Sequence, residues 1–428
     1  MSTPGGDRLW RSVVLSALLP LVLYSTGVGA LMPAIPLIVA RISEPLFDDR
    51  STILAVSGVV AAMLMVGELI GYLPSGRIVT LLGERNAMLA AAGLSLAGIG
   101  VCMLLPGPWA VGVGVFLVGL ATALFSLARH AFITTYVPLV YRSRVLAAVG
   151  GLFRLGHFVG PFLTAYVLST FGSLESAYWI HVATCTAAAV VLLLFTRDPE
   201  TAAMKKTTAR AVAAAPRSAG IARTLVNRRD VLLRLGTGAA VVMALRAGRT
   251  VIMPLWGVSI GMDDSSVALV VGIAGGVDFA LCYLGGWLCD RFGRMWNALP
   301  STLGLALSLL VLAFTAGFAN PAVWFVVLTM TMSVANGMGT GIVLTLGADL
   351  ADPEDPAPFL GAWRFIGSLG NAGAPLAVSA ATTAVSLPFA VGALGVIGIA
   401  GAAILAHGIA RYIPGESLRL RSRRAQPR

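Results

Sequence analysis

The sequence predicts an all-α membrane protein: twelve transmembrane helices in two pseudo-symmetric six-helix halves, with both termini cytoplasmic. Three observations predict it. Of the 428 residues, 57% are apolar and only 11% charged, with a mean hydropathy of +0.87, a balance outside the range of water-soluble domains. Twelve apolar runs are long enough to cross roughly 30 Å of hydrocarbon as helices of about 20 residues. The least common residues of these runs also recur at one offset. Glu68 returns as Asp278 and Arg154 as Arg364, each 210 positions on, together with Gly76 and Gly286, Gly83 and Gly293, Gly151 and Gly361, Phe153 and Trp363, and Gly160 and Gly370. A shared register across separate segments is the mark of two related halves.

In chain order the runs cover residues 12–38, 52–75, 87–106, 109–136, 145–170, 177–196, 231–258, 267–288, 297–318, 322–348, 359–384 and 388–411. The first is too long for a signal-peptide core and lacks a small-residue cleavage site, so it is expected to be retained. Runs rich in Gly and Ala, such as Gly93 to Gly100 and Gly392 to Gly401, offer small-residue faces for close packing. Turns are short, as at Pro106-Gly107-Pro108. One long polar connection, Arg197 to Asp230, separates six runs from six and reads as a flexible basic linker. The expected organisation is therefore an N-terminal half over 1–196, a cytoplasmic linker over 197–230, a C-terminal half over 231–411 and a basic cytoplasmic tail over 412–428.

Orientation follows from the basic residues, which stay on the cytoplasmic side when they flank spans. Of 30 Lys and Arg, 22 lie in the tails and even-numbered loops and two, Arg41 and Arg50, in odd-numbered loops. The other six, Arg129, Arg154, Arg234, Arg246, Arg249 and Arg364, fall within spans. The net charge of +11 is thus topology plus these six, no nucleic-acid partner is needed to explain it, and the tail Arg419 to Arg428 is placed against anionic lipid headgroups. Cys102, Cys185, Cys282 and Cys289 lie inside spans without metal-type spacing and read as packing residues.

Between the second and third spans runs Gly76-Arg-Ile-Val-Thr-Leu-Leu-Gly83-Glu-Arg85, and between the eighth and ninth Gly286-Trp-Leu-Cys-Asp290-Arg291-Phe-Gly293-Arg294. The second stretch resembles the signature loop of the major facilitator superfamily, Gly-x-Leu-Ala-Asp-Arg-x-Gly-Arg. With twelve spans and a central basic loop, the resemblance covers nearly the whole chain. It implies a cytoplasmic latch in which the loop holds one conformation. Its glycines allow a tight turn, and its acid can sit at a helix N-terminus. Thr80 stands where the first copy's acid is expected, so Asp290 alone can make the charged contact. In the fifth span, Gly156-x-x-x-Gly160-Pro161 is similar to the motif of the drug and metabolite:proton antiporter branch, although Ala147, Thr164 and Ala165 depart from it. Close helix packing accounts for the same pattern without antiport.

At 1.5 Å per residue, Glu68 lies about 12 Å from Gly76, Asp278 about 12 Å from Gly286, Arg154 about 15 Å from Arg144 and Arg364 about 14 Å from Asp355, which puts all four at comparable depth. The resemblance packs the second span on the eleventh and the fifth on the eighth, and so implies the pairs Glu68 with Arg364 and Asp278 with Arg154. Self-neutralisation is one reading of such pairs; proton coupling through either acid, as halves rock apart, is the other. Arg246 and Arg249 are three apart in the seventh span and unduplicated, standing opposite Val28 and Leu31 when Pro254 is aligned on Pro36. In one reading, one of them pairs with Asp278 or Glu68 while the other snorkels; in the other, both receive an anionic group of a cargo. Tyr24, Phe132, Trp256, Phe279 and Trp363 could line a cavity or simply fill the core, and Tyr24 and Trp256 are carried forward as substrate-contact candidates. Among His130, His157, His181 and His407, His157 stands three residues beyond Arg154 and can titrate near neutrality.

The sequence has no Walker lysine motif, metal cluster or nucleophile with a nearby base, so neither an enzyme nor an ATP-driven pump is expected, and no cofactor or metal. The expectation is a monomeric secondary transporter in the cell membrane, the cytoplasmic membrane if the source is bacterial. The expected partners are a small molecule, protons and the bilayer, and the expected activity is export of a small amphiphilic compound against proton entry, the excess of intramembrane arginines favouring an anionic or zwitterionic one. Uptake or lipid flipping of an anionic substrate is the rival, and a membrane sensor or embedded enzyme the alternative from another class.

Overall fold

The computed structural model describes residues 14–137, 139–195, 228–351 and 356–413. Most of the basic linker and the tail Arg419 to Arg428 lie outside these residues, as does the side chain of Asp290. Twelve long helices occupy the twelve predicted runs. They are α1 (Val14–Ser43), α2 (Arg50–Leu82), α3 (Glu84–Leu104), α4 (Pro108–Tyr136), α5 (Leu139–Phe171), α6 (Ser176–Phe195), α7 (Arg229–Ser259), α8 (Asp264–Phe292), α9 (Arg294–Leu312), α10 (Pro321–Leu350), α11 (Pro356–Ala384) and α12 (Leu387–Tyr412). In hydrocarbon the backbone has only itself to bond to, so apolar runs of this length become helices, interrupted in α10 between Met338 and Ile342. The interior prolines Pro33, Pro36, Pro74, Pro161, Pro254, Pro300 and Pro375 are carried within them.

The chain divides into two compact units. One comprises the described residues of α1 to α6 with 262–272 at the start of α8, and the other holds the remainder of α7 to α12. In the first unit, α4 packs on α2 and α3, and α1 on α5 and α6. In the second, α11 and α12 pack on α7, and α9 lies between α10 and α12. At the membrane edge of the first unit, Arg41 Nη2 donates to Asp264 Oδ2 at 2.6 Å, a solvent-facing pair of small energetic value. Asp49 starts α2: its carboxylate accepts from the backbone N–H groups of Ser51 and Thr52 at 3.3 and 3.1 Å and from both hydroxyls. These bonds, the Ser51 hydroxyl foremost, hold the carboxyl down at about 2. The cap is therefore present above the unfolded carboxyl range and lost as pH falls through about 2.

The predicted loop motif is mostly helix. Gly76 and Gly286 lie inside α2 and α8, and a single residue, Gly83 or Gly293, joins each to the next helix. Both glycines take positive φ, +81° and +98°, a region costly for a residue with a Cβ. The tight turn expected of the whole motif is thus made by its second glycine, and Thr80 turns its hydroxyl to the Gly76 carbonyl of its own helix.

Close approach elsewhere also rests on glycine, though not along whole small-residue runs. A Cβ at Gly119 of α4 would collide with the Leu64 carbonyl of α2 and lie 2.9 Å from the Glu68 nitrogen. Of the glycines within Gly93 to Gly100 only Gly98 meets a neighbour, the Gly114 carbonyl foremost, while Gly93 and Gly100 face open space. Gly395, Gly398 and Gly401 do line a contact of α12 with α9 and α7. Gly119→Ala is expected to lower the thermal unfolding midpoint of detergent-purified protein, corresponding to overpacking of about 1 to 3 kcal/mol. Gly93→Ala should leave the midpoint unchanged or raise it, with tryptophan fluorescence during heating as the readout.

Candidate functional site

In the second unit, charge and polarity gather where α7, α8, α9 and α10 meet. Arg249 of α7 points a guanidinium fork at Asp278 of α8, with Nη2 to Oδ2 at 2.7 Å and Nη1 to Oδ1 at 3.3 Å. The side chains are 7% and 20% exposed, which makes this an ion pair inside the helix bundle. Asn336 Nδ2 adds a third donor to Asp278 at 3.1 Å, and Arg249 Nη1 also reaches the Met332 carbonyl at 3.3 Å. Three donors on one carboxylate fix its position. One turn away, Arg246 Nη2 donates to the Gly339 carbonyl at 2.6 Å. That carbonyl lies where α10 breaks, around Gly341 with φ +84°. Asn297 of α9 fastens the same break, donating to Met338 O and Gly285 O at 2.7 Å each.

Of the two readings open for Arg246 and Arg249, the first half of the bland one matches the geometry: Arg249 pairs with Asp278. Arg246 holds a backbone carbonyl inside the bundle. Asp278, which the resemblance sets opposite Arg154, is engaged within its own half. The residues that sequence reasoning passed over are Asn297 and Asn336, together with the break. Two asparagines in apolar spans and the spacing Gly337-x-Gly339-x-Gly341 were the available signal.

The first unit is built differently. Glu68 of α2 is half-buried, and its Oε1 accepts from the Tyr72 hydroxyl one turn on, at 2.9 Å. Arg129 of α4 is 5% exposed. Nearby, Tyr24 of α1 stacks on Phe125 with ring centroids 4.4 Å apart, and its hydroxyl contacts Thr122 Oγ1 at 3.2 Å and Ser95 Oγ at 3.4 Å. Ser95 Oγ in turn lies 2.8 Å from His181 Nε2. Tyr24 at 3% exposure and Trp256 at 0% are therefore packed interior groups, as are Phe132 and Trp363. Trp363 donates to the Val343 carbonyl at 2.8 Å, whereas its counterpart Phe153 is exposed. His157 bonds the Phe153 carbonyl of its own helix at 3.0 Å. Arg154 is half-buried on α5 and Arg364 exposed on α11.

The motif residues have packing roles. Cβ atoms at Gly156 and Gly160 would strike Ser25 and the Gly29–Ala30 backbone of α1, so both glycines seat α5 on α1 beside Pro161. Thr164, a departure from the antiporter pattern, donates to the Ala30 carbonyl at 2.9 Å. Arg85 reaches the carbonyls of Leu192 and Leu193, at 3.2 and 2.9 Å, near the end of α6. Arg294 clamps Asp349 of α10 through Nε and Nη2 at 2.8 and 3.2 Å, and Arg291 lies over Trp287 at 5.3 Å.

The buried pair gives a direct test of its energetics. Arg249→Leu or Asp278→Leu alone should destabilise by about 3 to 5 kcal/mol, because each leaves the other charge uncompensated. The double variant should recover most of the thermal midpoint, read by heating in detergent micelles.

Comparison with known proteins follows from this architecture. The model of the Major Facilitator Superfamily matches residues 17–375. Two uncharacterised MFS-type transporters of Mycobacterium tuberculosis, from strains CDC 1551 / Oshkosh and ATCC 25618 / H37Rv, are 27% identical over 195 residues, 44% of this chain. The matched region spans only 27% of the length of those relatives. A D-xylose–proton symporter superposes with TM-score 0.73 at 15% identity, covering 95% of this chain and 98% of that one. A peptide transporter POT in complex with sulfate gives TM-score 0.70 at 16% identity, with 96% of each chain covered. The xylose transporter XylE from E. coli, in a partially occluded inward open conformation, gives 0.68 at 15% identity, with 93% and 99% covered. The chain belongs to the Major Facilitator Superfamily and is a multi-pass integral membrane protein.

Proposed function

We propose that this transporter couples the movement of a small amphiphilic, anionic molecule to protons, exporting it as protons enter, with Glu68 as the proton carrier. The observation that carries the reading is the difference between the two intramembrane acids. Asp278 is held by a guanidinium fork and an amide, so taking up a proton there means dismantling an ion pair. Glu68 accepts a hydroxyl from Tyr72, a partner that tolerates either protonation state. An acid that must gain and release a proton in each cycle is better served by the second environment.

The pairs across the halves, Glu68 with Arg364 and Asp278 with Arg154, form part of the same proposal as contacts made in one state and exchanged in another. Asp278 would then leave Arg249 during the cycle, and the latch residues Asp290, Arg291 and Arg294 would hold the complementary state. Proton coupling is compatible with this architecture, since one fold neighbour is named a proton symporter. The outward direction rests on the similarity of Gly156-x-x-x-Gly160-Pro161 to the antiporter motif.

Reconstituted vesicles with an imposed pH gradient test both parts. A labelled anionic amphiphile should accumulate in inverted vesicles of the wild type and a neutral one should not, and a protonophore should abolish the accumulation. Glu68→Gln should reduce gradient-driven accumulation to the level of protein-free vesicles while leaving equilibrium cargo binding in place. A Glu68→Gln protein still driven by the gradient would exclude Glu68 as carrier, and accumulation confined to right-side-out vesicles would reverse the direction.

A further inference from the structure

Arg129 stands apart from the other arginines of the bundle interior. It is 5% exposed, and in hydrocarbon an ionised group at that depth needs a compensating partner. In the second unit that need is met: Arg249 has a carboxylate and a carbonyl, and Arg246 has the Gly339 carbonyl. Among the described residues of the first unit, none of the carboxylates forms an ion pair with Arg129. Its Nε has no hydrogen-bond partner, and its Nη2 contact to Ser126 Oγ is 3.5 Å, at the outer limit of such a bond.

The surroundings supply donors rather than a counter-charge. Ser126 lies one turn before Arg129 on α4, and Thr122 one turn before that on the same face. The facing helix α2 comes close through Gly67 against the backbone of Gly119 and Leu120, and Gly71 against Leu120. The acid on that helix, Glu68, is already engaged by Tyr72 at 2.9 Å. A buried guanidinium with a free Nε edge, beside hydroxyls, is complementary to a planar or tetrahedral oxyanion.

We propose that Arg129 is the anion receptor of the first six-helix unit, taking the carboxylate or sulfonate of an amphiphilic monoanion, with Ser126 as its hydroxyl neighbour. This deepens the transport reading and rests on it only in making that anion the cargo. It also moves the anion-receiving role away from Arg246 and Arg249, which bond the Gly339 carbonyl and the Asp278 carboxylate.

The test is equilibrium binding to the full-length protein in lipid nanodiscs, with benzoate and benzenesulfonate as anionic probes and benzamide as the neutral control. No proton gradient enters, so the result is independent of whether Glu68 carries protons. Titration calorimetry should give saturable binding of both anions to the wild type and none of benzamide. Affinity should fall about tenfold or more in Arg129→Gln, the loss expected when a charge-assisted hydrogen-bonded pair is removed. Equal affinity in wild type and Arg129→Gln would overturn the site, as would the absence of saturable anion binding to the wild type. Should Arg129→Gln not fold, Arg129→Lys decides: a point charge without the fork must bind several-fold more weakly, and unchanged affinity overturns the proposal. Discs of phosphatidylcholine and discs containing phosphatidylglycerol separate the possible sources of the anion. Undiminished benzoate binding in both supports a cargo site, and its loss in the second assigns Arg129 to a lipid headgroup and overturns the cargo reading.

Discussion

In hydrocarbon, a polar group that leaves water has to find its partner inside the protein, and this constraint organises the whole chain. It makes the backbone helical across every span, and it lets glycines with nothing but backbone for neighbours seat one helix on another. It also makes each intramembrane charge conspicuous. Asp278 and Arg249 answer the constraint with a fork, Arg246 and Asn297 by capturing carbonyls that the broken α10 releases, and Glu68 with a phenol. The chemistry available to the transporter is set by which of these answers can be undone cheaply.

Duplication supplied both halves with an acid at the same register, and divergence then gave the acids different company. Asp278 belongs to a network spanning α7, α8 and α10, whereas Glu68 is satisfied from its own helix. The same divergence separates Trp363, buried with its indole on a carbonyl, from the exposed Phe153. Equivalent positions thus keep their depth in the membrane while changing their task. The repeat sets the common register of the two halves, and its asymmetry gives each half its own polar network.

Much of this was legible in the sequence because membrane insertion acts on long, one-dimensional signals. All twelve helices could be located from apolar length alone, and the acids and arginines at register 210 stood out against it. What was not legible depends on which face of a helix meets which neighbour. Tyr24, Ser95, Thr122 and His181 come from four helices and form one buried cluster with no spacing to announce it. The antiporter-like glycines could not be told from packing glycines until α1 was seen lying across them. Within Gly93 to Gly100, composition implied a continuous close face, yet of its three glycines only Gly98 has a neighbour.

The one-residue joints at Gly83 and Gly293 carry a consequence of their own. A single residue reaches at most about 3.6 Å, so the ends of α2 and α3, and of α8 and α9, cannot be drawn apart. Each pair is a hairpin with a pivot in place of a loop: its helices can swing about the glycine, but neither can slide along the other. Arg85 and Arg294 brace the far side of each pivot, one on the closing carbonyls of α6 and the other on Asp349 of α10. Sideways displacement at either joint is thereby converted into rotation, and any motion of α2 or α8 is delivered at once to a third helix.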